Sequence, residues 1–143
     1  MSRTTLYIEK NPYKIVPKDK LTDEHLLYIN ERIDAPEHKD DKGPPKVWNT
    51  YPNGLYAVIE KSSNTPVGLI EASGPSESVA PGWWLDSQVR GKGNGNKMVD
   101  ALAEYLKLHG VTGVGKIIIQ SAGGVHDAAS EKLKRRYQAH FSV

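Results

Sequence analysis

The sequence predicts an α/β chain in which an antiparallel hairpin and further short strands are flanked by amphipathic helices. Three observations carry this reading. Apolar residues alternate with a period of two from Leu55 to Glu60 and a second apolar run follows at Val67 to Ala72. They recur at helical spacing from Met98 to Leu106, and turn formers separate the two regimes. The 143 residues, 38% hydrophobic and 25% charged, suit a single domain spanning 1–143.

Taken in order, Lys14-Ile15-Val16 is a short strand stopped by Pro17. Thr22 and Asp23 can cap a helix that carries Leu26, Ile29, Asn30 and Ile33 at helical spacing. From Asp34 to Thr50, Pro36, Gly43, Pro44 and Pro45 interrupt the charged run His38-Lys39-Asp40-Asp41-Lys42. Such a composition buries little, so a mobile loop is expected there, either a solvated connector or a substrate-facing lid. Leu55, Ala57 and Ile59 then share one strand face, and Lys61 to Pro66 turns the chain into a returning strand, Val67 to Ala72. Gly82-Trp83-Trp84-Leu85 is a third strand, apolar enough to be covered on both faces.

A glycine-rich loop follows and leads into a helix beginning near Asn96, with Met98, Val99, Leu102, Ala103 and Leu106 on its buried side. His109 and Gly110 close that helix with a cation and a left-handed cap. Gly113 and Gly115 give a flexible link to a β-branched strand, Lys116 to Gln120. Asp127 can cap a last helix, with Leu133 and Tyr137 apolar or aromatic and Lys132, Lys134, Arg135 and Arg136 basic.

Charge and composition exclude several functions. Nineteen Lys and Arg against seventeen Asp and Glu give +2, too balanced for a general nucleic-acid or membrane surface. Nucleic-acid binding would rest on the basic last helix alone, a pattern commoner in solvated faces. The absence of Cys removes disulfides, a thiolate nucleophile and cysteine-ligated zinc, and the five His form no ligand-spaced pair. With no apolar signal segment near Met1 and no run approaching the ~18 apolar residues of a membrane span, a cytoplasmic protein is expected.

The chemistry concentrates at Arg90-Gly91-Lys92-Gly93-Asn94-Gly95-Asn96. Glycines at alternate positions permit positive φ and let successive N–H groups converge into an anion nest. The following helix adds its unpaired N–H groups and positive dipole end, which suits a phosphate or pyrophosphate. Arg90, Lys92 and Lys97 supply charge around the rim. The triphosphate pattern GxxxxGK followed by Ser or Thr is met only accidentally at Gly110 to Lys116, where Ile117 replaces the hydroxyl. The dinucleotide pattern GxGxxG fails at Asn96.

The loop resembles the acetyl-CoA signature of the GNAT superfamily of N-acetyltransferases: Arg or Gln, two free positions, Gly, a free position, then Gly or Ala. Arg90 to Gly95 meets every position, the apolar strand Trp83-Trp84-Leu85 precedes it at the family's distance, and Asn96-Lys97-Met98-Val99 opens the helix as in the family. The hairpin exit Asn64 to Gly68 is similar as well. The resemblance covers Gly54 to Gln120 and, more loosely, the amino-terminal strand and helix.

It implies a GNAT-like mixed, mostly antiparallel sheet with flanking helices, shortened at the C-terminus, and acetyl-CoA as cosubstrate. Backbone of Trp83, Trp84 and Leu85 would hold pantetheine, paired as though it were an extra strand. Amides of Gly91 to Asn96 would cradle the pyrophosphate. An amine would attack the thioester directly, with no metal and no covalent nucleophile. Many family members use a tyrosine on the last helix as proton donor to the leaving thiolate. Tyr137-Gln138-Ala139-His140-Phe141 faintly resembles the family's Tyr-Glu-Lys-Leu-Gly-Phe, one residue short, so Tyr137 is either that donor or a structural tyrosine closing the helix. For the base, Glu71 is the first choice and Glu77 the second, each also readable as a solvated side chain. Some relatives carry an acid where this chain has Val79. The family adds two strands after the last helix, whereas six residues follow Tyr137. Either His140 to Val143 forms a stub strand or a second subunit of a homodimer completes the amine site. The partner expected is a primary amine on a protein, peptide or small molecule. The rival reading is a catalytically silent CoA-binding or protein-interaction module.

Overall fold

The computed structural model describes residues 10–115 and 128–142. Strands β1 (Tyr13–Pro17), β2 (Leu55–Glu60), β3 (Thr65–Glu71) and β4 (Gly82–Leu85) form an antiparallel sheet in the order β1-β2-β3-β4. Pro17 ends β1 as expected. The β2–β3 hairpin carries a bulge, because Val58 faces Gly68 while Ile59 faces Pro66. The extra residue, Val67, joins Val58 in the same core cluster, and the irregularity accommodates a proline inside a paired strand.

Among the described residues, the helices α1 (Asp23–Ile33), α2 (Pro44–Val47), α3 (Asn94–Leu108) and α4 (Ala128–His140) flank the sheet. One face of the sheet buries Leu55, Ala57, Ile59, Leu69 and Trp84 against Ile29 of α1 and Trp48. The opposite face packs Val58, Val67 and Ile70 against Met98, Val99, Leu102 and Leu106 of α3 and Tyr137 of α4. Thr22 caps α1: its hydroxyl accepts from the His25 N–H at 3.1 Å, and the His25 ring accepts the Thr22 N–H in return. Among the described residues, no helix is long and apolar enough to cross a membrane.

The segment after α1 differs from the mobile loop its composition suggests. Pro36–His38 makes a turn of 3-10 helix, Pro44 and Pro45 are buried in α2, and Trp48 is wholly enclosed. The physical reason is twofold: Trp48 supplies the apolar surface missing from its neighbours, and His38 and Asp41 satisfy each other inside the protein at 2.7 Å. The Gly113–Gly115 link differs too. Val79 and Val114 form a parallel bridge, and a Cβ at Gly113 would lie 2.1 Å from the Glu77 carbonyl oxygen, so glycine there permits close backbone approach. At the carboxyl end, α4 runs through His140, and Phe141 and Ser142 continue with helical-turn hydrogen bonds. The stub strand expected over His140 to Val143 is therefore not found among its described residues, 140–142, the first of which is helical. The strand expected at 116–120 and the Asp127 cap lie outside the described residues.

Candidate active site

Two adjacent tryptophans on β4 point to opposite faces because side chains alternate along a strand. Register pairs Ile70 with Trp83, Leu69 with Trp84 and Glu71 with Gly82. Trp83 thus faces α3 and α4, while Trp84, Gly82 and Glu71 face α1 and α2. Beyond Leu85 the chain makes a short 3-10 turn, Ser87–Val89, capped by the Asp86 carboxylate, which accepts the Gln88 N–H at 3.1 Å. Then comes the glycine loop.

Gly91, Lys92 and Gly93 all have positive φ, at 82°, 57° and 77°. Three consecutive left-handed residues swing the chain directly into α3, which starts at Asn94, two residues earlier than expected. A Cβ on Gly91 or Gly93 would meet nothing within 4 Å, so their outer side is open. The Asn94 N–H is satisfied by the Gly91 carbonyl at 3.1 Å, and the Asn94 side chain caps the Val89 carbonyl at 2.8 Å. Among the described residues, no protein acceptor meets the N–H groups of Lys92, Gly93, Gly95 or Asn96. Those donors sit at the positive end of a fifteen-residue helix beside the exposed Lys92 and Lys97, an arrangement complementary to an anionic group. Gly95 has a second role: its Cα faces Leu133 of α4, whose methyl groups would lie 3.1 and 3.2 Å from an added Cβ.

Arg90 is not a loose rim charge. Its Nε donates to the Leu85 carbonyl at 2.6 Å and its guanidinium donates to Asp41 at 2.9 Å. Asp41 also accepts from the Trp84 indole at 2.7 Å and lies 2.7 Å from the His38 ring. Burial pushes the Asp41 carboxyl up, but the hydrogen bonds from Trp84, His38 and Arg90 outweigh it and hold the group below the usual range. Next to it, Asp86 is buried and gripped by Arg32 through two bonds of 2.7 and 2.9 Å. There too burial opposes ionisation, and the bonds from Arg32, the Gln88 amide and His38 overcome it, bringing Asp86 down to about 2.

Tyr137 lies one helical turn beyond Leu133, its ring 6.1 Å from Trp83 and 5.1 Å from Phe141. It is completely buried, and among the described residues its hydroxyl has no hydrogen-bond partner. Burial pushes the phenol up, so it stays protonated at any ordinary pH. Glu71 is half-buried on the other sheet face, beside Gly82 and near Pro44. The fold therefore brings Tyr137 to β4 from one side and Glu71 from the other, and does not place the two together. Glu77 is exposed, 3.4 Å from the Ser76 hydroxyl.

The polar cluster of His38, Asp41, Asp86 and Arg32 is what sequence reading missed. Asp86 left a trace, since an acid directly after a strand and two residues before Gln88 fits a cap. His38 and Asp41 left none, sitting in a stretch that looks solvated. Arg136 also departs from the solvated face expected of it: it forms a bidentate pair with the buried Asp100 at 2.8 and 2.7 Å and helps dock α4 on α3.

The model of the acetyltransferase (GNAT) family matches residues 24–129, most of the chain. The chain belongs to that family. Membership makes it one of the GNAT acyltransferases, and the loop between β4 and α3 falls inside the matched region. A solved GNAT-like fold agrees: the crystal structure of the acetyltransferase from Agrobacterium tumefaciens str. C58 is similar at a TM-score of 0.52 and 13% identity, covering 87% of this chain and 78% of that one. No curated protein matches the sequence.

Proposed function

We propose that this GNAT protein moves an acetyl group from acetyl-CoA to a primary amine by direct attack in a ternary complex. The observation that carries the reading is the Arg90–Asn96 loop, whose open glycines and unpaired amides at the start of α3 present N–H donors suited to an anionic group, one short turn after β4. Backbone of Trp83, Trp84 and Leu85 on β4 would hold the pantetheine arm. A backbone amide would stabilise the oxyanion of the tetrahedral intermediate. Glu71, or in second place Glu77, would take a proton from the substrate ammonium directly or through water, so that the neutral amine can attack. Tyr137, always protonated, would donate to the departing thiolate. The substrate is a primary amine on a protein, peptide or small molecule, and a second subunit completing the amine wall belongs to the same proposal.

One observation favours a second reading, a CoA-binding module without turnover. The Tyr137 hydroxyl is enclosed on all sides and would have to become accessible to reach a thiolate. Calorimetric titration with acetyl-CoA and CoA, together with thiol release over a panel of amines, separates the two. Transfer predicts binding plus thiol release dependent on one class of amine. Binding with no release from any amine supports the silent module, and no binding overturns both.

A further inference from the structure

Asp41 stands where the loop, the strand and the segment after α1 meet. One of its oxygens, Oδ2, lies within 2.9 Å of three nitrogens: the Trp84 indole of β4 at 2.7 Å, His38 Nδ1 at 2.7 Å and the Arg90 guanidinium at 2.9 Å. Arg90 in turn reaches back to the Leu85 carbonyl at 2.6 Å. The bonds make a closed circuit from β4 through Asp41 to Arg90 and back to the end of β4. His38 adds a second tie, its Nε2 lying 3.3 Å from the Ser87 amide nitrogen and 3.3 Å from Asp86. The whole connection between strand and glycine loop is thus held from one side by residues 38–41.

The chemistry of this circuit is that of a brace. The His38 ring is fully enclosed and Asp41 nearly so, at 9% exposure, so neither can touch a substrate. A carboxylate would also repel a diphosphate rather than bind it. Without the Asp41 anchor, only the Leu85 carbonyl would hold the Arg90 guanidinium, and Arg90 is the residue immediately before three consecutive left-handed conformations. We infer that Asp41 is a positioning residue for acyl-donor binding: through Arg90 and Trp84 it sets the angle at which the glycine loop leaves β4, and so aims the loop amides at the diphosphate. This rests on the acetyl-CoA reading above.

The test compares wild type, Asp41→Asn, Arg90→Gln and the double variant for CoA affinity by calorimetry. Acetyl-pantetheine, a donor lacking the diphosphate, serves as the second probe in thiol-release kinetics. Asp41→Asn keeps an oxygen for the indole while removing the charge that holds Arg90. About tenfold weaker CoA binding is expected, the order seen when an orienting partner behind a binding group is lost. The double variant should be no worse than the weaker single variant, because both break one circuit. The KM for acetyl-CoA should rise with kcat little changed, while kinetics with acetyl-pantetheine should match wild type. Unchanged or tighter CoA binding in Asp41→Asn overturns the inference, as do additive losses or an equal loss with acetyl-pantetheine. Failure of the wild type to bind CoA would show instead that the donor reading is wrong, and the inference falls with it. If Asp41→Asn does not fold, Arg90→Gln decides alone: its side chain is nearly half exposed, so its loss leaves the core intact, and normal CoA affinity there refutes the brace.

Discussion

The glycine loop is held from two sides by opposite chemistries. Towards α1 it is tied by charge and hydrogen bonds, Arg90 to Asp41 and the preceding turn to Asp86 and Arg32. Towards α4 its own contacts are apolar, with Gly95 admitting Leu133 and, on the preceding strand, Trp83 packing on Tyr137. Directional bonds fix where backbone atoms point, whereas apolar contact tolerates small shifts. The polar side should therefore govern the geometry of the loop and the apolar side its attachment to the fold.

The largest effect should come from the loop itself. Gly93 has φ of 77°, and an added Cβ would enter open space. Gly93→Glu should therefore fold, at a strain cost of about 1–2 kcal/mol, while placing a carboxylate in the nest. CoA affinity should drop by about a hundredfold or more, equivalent to ~3 kcal/mol at the tenfold-per-1.4 kcal/mol rule. Unchanged affinity in calorimetry would remove the loop from the donor site.

Next in size is Asp86, the buried anchor of the polar side. Its carboxyl is brought down to about 2, below its ordinary value of 3.8. A depressed folded value means that the ionised group stabilises the fold above the ordinary carboxylate range and that this share is lost as pH falls through 2. It amounts to about 2 kcal/mol at 1.36 kcal/mol per unit. Asp86→Asn should cost about 2–3 kcal/mol at neutral pH, Arg32 being left without its charge partner. Urea unfolding at pH 7 and pH 3 should show the wild type losing more of its stability than the variant over that interval. Equal losses would mean that Asp86 is not the acid-sensitive anchor of this side.

The two sides also differ in how far they could be read from the letters. The apolar side was largely legible: the spacing of Met98, Val99, Leu102 and Leu106 gives the buried face of α3, and alternation in β2 and β3 gives the sheet. A periodic apolar pattern has one economical solution, which is to face the core. The polar side was opaque because burying charge requires partners distant in the chain. Arg32 meets Asp86 across 54 residues and Asp41 meets Arg90 across 49. Nothing local to Asp41 distinguishes it from a solvated acid in a loop with prolines. The loop motif was visible because its glycines are local, but the fate of Arg90, drawn inward to Asp41 and Leu85, depends on tertiary contacts.

The smallest expected effect on stability bears on the apolar side and on a polar atom enclosed within it. Tyr137 is fully enclosed and its hydroxyl is unpartnered among the described residues, a situation that ordinarily costs about 1–3 kcal/mol. If the hydroxyl served packing alone, Tyr137→Phe would remove that cost while keeping the ring against Trp83 and Phe141, and the variant would be as stable as wild type or more stable by about 1 kcal/mol. A buried polar atom kept at such a cost suits a functional role, and the position beside β4 suits a donor to the leaving thiolate. The expected outcome of Tyr137→Phe is therefore a raised melting temperature, CoA affinity within about twofold of wild type, and turnover lowered by about a hundredfold, the usual scale of a general acid. Normal turnover would leave the hydroxyl without a chemical reason and return Tyr137 to the core. A lowered melting temperature would show that the hydroxyl has a stabilising partner, so that a loss of turnover in the variant could no longer be assigned to chemistry.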